Sequence, residues 1–86
     1  METIRTDNFV FEKETYEIKL YRTANGYKVI SYKNGKKANP YNYNVSFAVG
    51  QDYEVYHGEK GYEKLIKIAK DDIKQGLVFG KKFRKL

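Results

Sequence analysis

Alternation governs the first half of this chain. Tyr16, Ile18 and Leu20 alternate with Glu17, Lys19 and Tyr21, and a second run, Tyr27 to Tyr32, follows Asn25-Gly26. A period of two belongs to a half-buried strand, and Asn-Gly favours the positive backbone angles of a two-residue type I′ turn. The sequence therefore predicts an antiparallel hairpin in which Ala24 faces Tyr27 and Lys19 lies directly across from Tyr32. One face carries Tyr16, Ile18, Leu20, Arg22, Tyr27, Val29 and Ser31. The other carries Glu17, Lys19, Tyr21, Thr23, Lys28, Ile30 and Tyr32. The first set is the more apolar and is assigned to the core.

A second turn signal, Asn34-Gly35, leads past Pro40 to Tyr41, Tyr43, Val45, Phe47 and Val49, which alternate with smaller or polar residues and read as a longer third strand. Its parity conflicts with the first hairpin. A two-residue loop at Asn34-Gly35 places Tyr41 across from Lys28 and turns Val45, Phe47 and Val49 outward. A longer loop, a bulge or an inverted face assignment would each remove the conflict. Gly50-Gln51-Asp52 leads into a fourth strand, Tyr53 to Tyr56, although the stretch also tolerates a short helix capped by Gly58. Phe9-Val10-Phe11 reads as a further strand and Glu12-Lys13-Glu14 as a turn.

The helix is plainer. Between Glu59 and Gln75, apolar residues fall at Tyr62, Leu65, Ile66, Ala69 and Ile73, one stripe at helical spacing, with Leu77 beyond and Gly76 where a C-terminal cap belongs. The expectation is an α+β domain: a small antiparallel sheet of three to five strands packed against one amphipathic C-terminal helix. It covers residues 1–80, and a basic tail covers 81–86.

Charge is unevenly spread. The chain has 86 residues and a net charge of +6. Residues 15–49 hold one acid, Glu17, against six bases and carry six of the nine tyrosines, whereas residues 50–58 carry −2 and residues 77–86 carry +4. Lysine and arginine attract phosphates over distance, and tyrosine offers a flat face on which a base stacks. The absence of cysteine excludes disulfides, thiolate metal sites and a thiol nucleophile. The first residues lack the pattern of a secretory signal, and no segment has the apolar length of a membrane span, so a cytoplasmic protein without membrane contact is expected.

No catalytic set emerges. His57 is the only histidine, and Ser31 and Ser46 lie in strand patterns without a glycine-flanked elbow. Acid–base cleavage of RNA centred on His57, among Asp52, Glu54 and Glu59, is the one enzymatic reading, and a surface histidine before the helix is the plainer one. Asp71 and Asp72 diverge on a helix and make no metal pair. Gly58-Glu59-Lys60-Gly61 matches the GxxG loop that clamps a nucleic-acid backbone in KH domains, but that loop needs a helix ahead of it where a strand is expected. No metal or cofactor is implied.

The function expected is non-enzymatic binding of nucleic acid, DNA or RNA. The residues expected to carry it are Lys19, Tyr21, Arg22, Lys28, Tyr32, Lys33, Lys36 and Lys37, assisted by Lys81, Lys82, Arg84 and Lys85. The alternative is a protein-binding inhibitor or adaptor, of the sort a phage or mobile element carries, docking on an acidic or nucleic-acid-handling partner.

Overall fold

A computed structural model describes residues 2–79, and the basic tail 81–86 lies outside the described residues. Five strands, β1 (Glu2–Phe11), β2 (Glu14–Arg22), β3 (Gly26–Lys33), β4 (Lys36–Lys37) and β5 (Tyr43–Ser46), precede two helices, α1 (Phe47–His57) and α2 (Gly61–Lys74). The sheet is antiparallel throughout, ordered β1-β2-β3-β4, with β5 also paired to β3. The architecture is α+β, a small antiparallel sheet with the C-terminal helix on one face.

The central hairpin keeps its faces but not its register. Arg22 pairs with Tyr27, so Lys19 faces Ile30 and Glu17 faces Tyr32. The loop is Thr23–Asn25, closed by the Thr23 N–H donating to the Gly26 carbonyl at 2.9 Å and by Thr23 Oγ1 accepting from the Gly26 N–H at 3.1 Å. Gly26 serves as a strand residue and not as the second position of a type I′ turn. Its lack of a side chain matters because a Cβ there would lie 2.0 Å from the Val45 carbonyl oxygen of β5. A two-residue slip preserves parity. Tyr16, Ile18, Leu20, Val29 and Ser31 are accordingly all buried.

The parity conflict is resolved by an odd insertion. Asn34 and Gly35 have positive φ (53° and 79°), as a type I′ turn requires, and Lys33 pairs with Lys36. Continuing that register would set Val29 against Pro40, yet Val29 pairs with Tyr43. A slip of three turns the strand over and brings Tyr43 and Val45 to the core side. The extra residues form an excursion held by buried Asn39, whose Nδ2 donates to the Leu77 carbonyl at 3.0 Å and whose Oδ1 accepts from the Tyr41 N–H at 3.1 Å.

The expected strand over 41–49 ends at Ser46, and the expected strand Tyr53–Tyr56 is helical. Ser46 Oγ accepts the Val49 N–H at 3.1 Å, an N-cap that starts α1, and Gly58 ends it in the left-handed conformation at φ 68°. α1 buries none of its residues. Its helical periodicity was therefore invisible, and the apparent alternation of Phe47 and Val49 does not mark a buried face.

β1 begins seven residues earlier than the expected Phe9–Phe11 strand, with a bulge between Thr3 and Arg5. Arg5 and Asp7 share the helix side with Phe9 and Phe11. Arg5 forms ion pairs with Asp7 and with Glu63 of α2, and Lys70 of α2 reaches Asp7 at 3.7 Å. Charged residues hold this half of β1 to the helix, so no apolar alternation announced it. α2 itself buries Ile66, Ala69 and Ile73 against the sheet. It ends in a Schellman motif, with the Leu77 N–H donating to the Asp72 carbonyl at 3.0 Å and Gly76 at φ 81°.

Candidate functional site

Both helices sit on one side of the sheet. The opposite face carries Thr6 and Asn8 of β1, Glu17, Lys19 and Tyr21 of β2, Lys28, Ile30 and Tyr32 of β3, Lys37 of β4 and Asn44 of β5, as pairing and alternation require. Neither described helix covers it. Of the residues expected to form the site, Lys19, Tyr21, Lys28, Tyr32 and Lys37 meet on this face.

Register explains how the two tyrosines meet. Tyr21 and Tyr32 belong to adjacent strands, but their pairing rows are four residues apart, about 13 Å along the strand. Their hydroxyls nevertheless hydrogen-bond to one another at 2.9 Å. That is achieved by both side chains lying down along the sheet and pointing toward each other. The row between them holds Lys19 and Ile30. Ile30 retains only 7% exposure although it faces away from the core, which fits a residue roofed by its long neighbours. The Lys19 ammonium lies 5.4 Å from the Tyr32 ring centroid, within cation–π range. Burial, and then the hydrogen bond with Tyr21, raise the Tyr32 phenol above its ordinary pKa. Tyr32 is therefore neutral at physiological pH and presents no phenolate to an anion.

Ion pairing differs between the faces, although Lys64 and Lys74 of α2 also form no ion pair among the described residues. On the helix side, Arg5, Lys60, Lys67 and Lys70 each pair with a carboxylate, and Lys33 pairs with Glu14 at 2.9 Å. Among the described residues, no ion pair involves Lys19, Lys28 or Lys37; the Lys37 ammonium donates to neutral Asn42 Oδ1 at 2.9 Å. The cations of the uncovered face thus keep their charge available to a ligand.

Three other expected site residues lie elsewhere. Arg22 follows the core-side parity and is exposed at the end of β2, opposite Tyr27. Lys33 and Lys36 pair with each other on the helix side, beyond the end of α2, where Lys33 is already engaged by Glu14. Lys81, Lys82, Arg84 and Lys85 fall outside the described residues. Thr6, Asn8 and Asn44 belong to the uncovered face and were missed. Nothing in the sequence revealed the parity of β1, and the parity conflict before β5 left a longer loop, a bulge and an inverted face assignment all open.

Tyr43 and the remaining motifs have structural explanations. The Tyr43 hydroxyl donates to the Asp72 carboxylate, and burial together with that bond raises its pKa. Gly58-Glu59-Lys60-Gly61 does follow a helix, contrary to expectation, but both glycines are spoken for. Gly58 caps α1, and Gly61 is buried where α1 crosses α2, a Cβ there lying 2.9 Å from Gly50 Cα. Glu59 and Lys60 are held by Lys67 and Glu54, each at 2.8 Å. The His57 ring stacks on Tyr53 with centroids 4.3 Å apart.

Comparison with protein-family models, with curated proteins and with solved structures found no match. No helix among the described residues is long and apolar enough to cross a membrane.

Proposed function

We propose that this protein binds single-stranded nucleic acid on the uncovered face of its sheet. Lys19, Lys28 and Lys37 engage phosphates, and the reclining rings of Tyr21 and Tyr32 provide stacking platforms. One observation carries the reading: among the described residues none of the three lysines on this face pairs with a carboxylate, whereas five cations of the helix side do, Lys64 and Lys74 of α2 being exceptions. Stacking on tyrosine tolerates any base, so little sequence preference is expected.

The test is a fluorescence-anisotropy titration with labelled single- and double-stranded DNA and RNA at two salt concentrations. Three phosphate contacts to a single strand give a log–log salt slope of about −2, or roughly twentyfold weaker binding between 50 and 200 mM salt. Participation by the four tail cations would steepen the slope to about −5. Tyr32→Ala should remove about 1–3 kcal/mol of binding, while Tyr32→Phe keeps the ring and most of the affinity. Affinity indifferent both to salt and to Tyr32→Ala would refute the proposal.

A protein partner is the second reading, favoured by Val55 and Tyr56 of α1, which are 76% and 82% exposed. Under that reading Tyr56→Ala, and not Tyr32→Ala, dominates the loss of binding.

A further inference from the structure

At the far end of the molecule from the Asn34-Gly35 turn, α1 and α2 diverge around a cleft of about 270 Å³. Three aromatic rings wall it. Tyr27 of β3 meets Phe47 of α1 nearly perpendicularly, with centroids 5.2 Å apart at 89°, and meets Tyr62 of α2 at 5.0 Å and 62°. Gly50 and Gly61 also line it, and their missing side chains let the helices cross closely beside it. Its lip is polar, formed by Gln51, Glu54 and Lys60, with the Lys60 ammonium 2.8 and 3.0 Å from the two Glu54 oxygens.

The charge around the cleft selects the ligand. Within one turn of its lip in sequence stand Asp52, Glu54, Glu59 and Glu63 against Lys60 and Lys64, and Glu59 is already held by Lys67. An anion such as a phosphate would meet this local excess of carboxylates. A cation would meet three electron-rich rings and a carboxylate already holding an ammonium. A methylated ammonium suits such a box better than a bare one, because it is weakly hydrated and its methyl groups fill apolar space. We propose that the cleft binds a methylated ammonium group, with the rings of Tyr27, Phe47 and Tyr62 around the cation and Glu54 as its counter-ion. This site is separate from the uncovered sheet face and does not depend on nucleic-acid binding there.

In this arrangement Lys60 is the internal competitor, since its ammonium must yield Glu54 to the ligand. The experiment is an amide-resolved NMR titration of the full chain with tetramethylammonium chloride, with tert-butyl alcohol as a neutral probe of similar shape. The expected result is saturable shifts centred on Gly50, Gly61 and Tyr62, with the alcohol binding at least roughly tenfold more weakly. Phe47→Ala and Glu54→Gln, both at exposed or half-buried positions, should weaken binding about fivefold or more without lowering the melting temperature appreciably. Lys60→Gln should tighten it. That sign separates a cation site from an anion site, where losing Lys60 would weaken binding. The proposal is overturned if the alcohol binds as well as the cation, if the shifts map elsewhere, or if Lys60→Gln weakens binding. Parallel titrations with choline and with a trimethyllysine peptide identify the source of the group: tighter binding of the peptide assigns a modified protein, tighter binding of choline a free small molecule.

Discussion

The uncovered sheet face and the α1–α2 cleft are built on opposite principles. The sheet face rests on β2 and β3, whose other side supplies Tyr16, Ile18, Leu20 and Val29 to the buried core, so the positions of Lys19, Tyr21, Lys28 and Tyr32 follow from strand register alone. It is basic, and its lysines form no ion pair among the described residues. The cleft is walled on one side by a helix that buries no residue of its own. That helix is positioned by contacts at its N-terminal end and at one crossing: the Ser46 cap, the Phe47 N–H bonded to the Asn25 carbonyl at 3.0 Å, and the meeting of Gly50 with Gly61. Its surroundings are acidic. Elements with few buried apolar contacts open at lower free energy than core strands. One small domain can therefore hold a rigid surface and a movable one, with charges that suit different ligands.

The strongest way to break this contrast is to detach the movable half. Gly26→Ala places a methyl group 2.0 Å from the Val45 carbonyl oxygen and 2.7 Å from Ser46 Cα, both backbone atoms that can yield only if β5 leaves β3. The expected loss is on the order of 3–4 kcal/mol, read from urea denaturation. Amide protection should vanish across residues 43–57 while β1 and β2 retain theirs. Uniform loss of protection would mean that the two halves are one cooperative unit.

Gly61→Ala is milder and more selective. Its Cβ would lie 2.9 Å from Gly50 Cα, so α1 must shift outward, at a cost of roughly 2 kcal/mol. The cleft should lose its affinity for tetramethylammonium, and oligonucleotide affinity should stay within about twofold, because distant sites act independently. A matched fall in both affinities would show that the sheet face depends on α1.

The same contrast explains what was legible in the sequence. Alternation in β2 and β3 reports a core on one side, and it placed Lys19, Tyr21, Lys28 and Tyr32 together on the other face even though the hairpin register was two residues off. α2 was legible because its stripe of Ile66, Ala69 and Ile73 is buried. α1 has no buried stripe, so Phe47, Val49, Tyr53 and Val55 mimicked a strand. Asn39 was unreadable for another reason: its two hydrogen bonds join residues 38 positions apart to a local turn, and no local pattern encodes such a staple. The aromatic box was hidden likewise. Tyr27, Phe47 and Tyr62 converge only through the odd slip that brings β5 and α1 back against β3.

The smallest effect tests the ion-paired side against the uncovered one. Arg5, by hydrogen bonds and charge, holds the Asp7 carboxyl below its ordinary pKa, with burial opposing and Lys70 assisting. A carboxyl with a depressed folded pKa takes up protons more readily in the unfolded chain. Its contribution is therefore complete above the unfolded value near 4 and is lost as pH falls through the lower folded value. Asp7→Asn should cost at most about 1 kcal/mol at neutral pH, since the pair is only partly buried, and should flatten the decline in stability below pH 4. Lys19, Lys28 and Lys37 have no acidic partner among the described residues, so replacing any of them with Gln should leave that acid limb unchanged while reducing the salt slope of oligonucleotide binding. An acid limb that moves with Lys28→Gln but not with Asp7→Asn would mean that the charges of the two faces had been assigned the wrong way round.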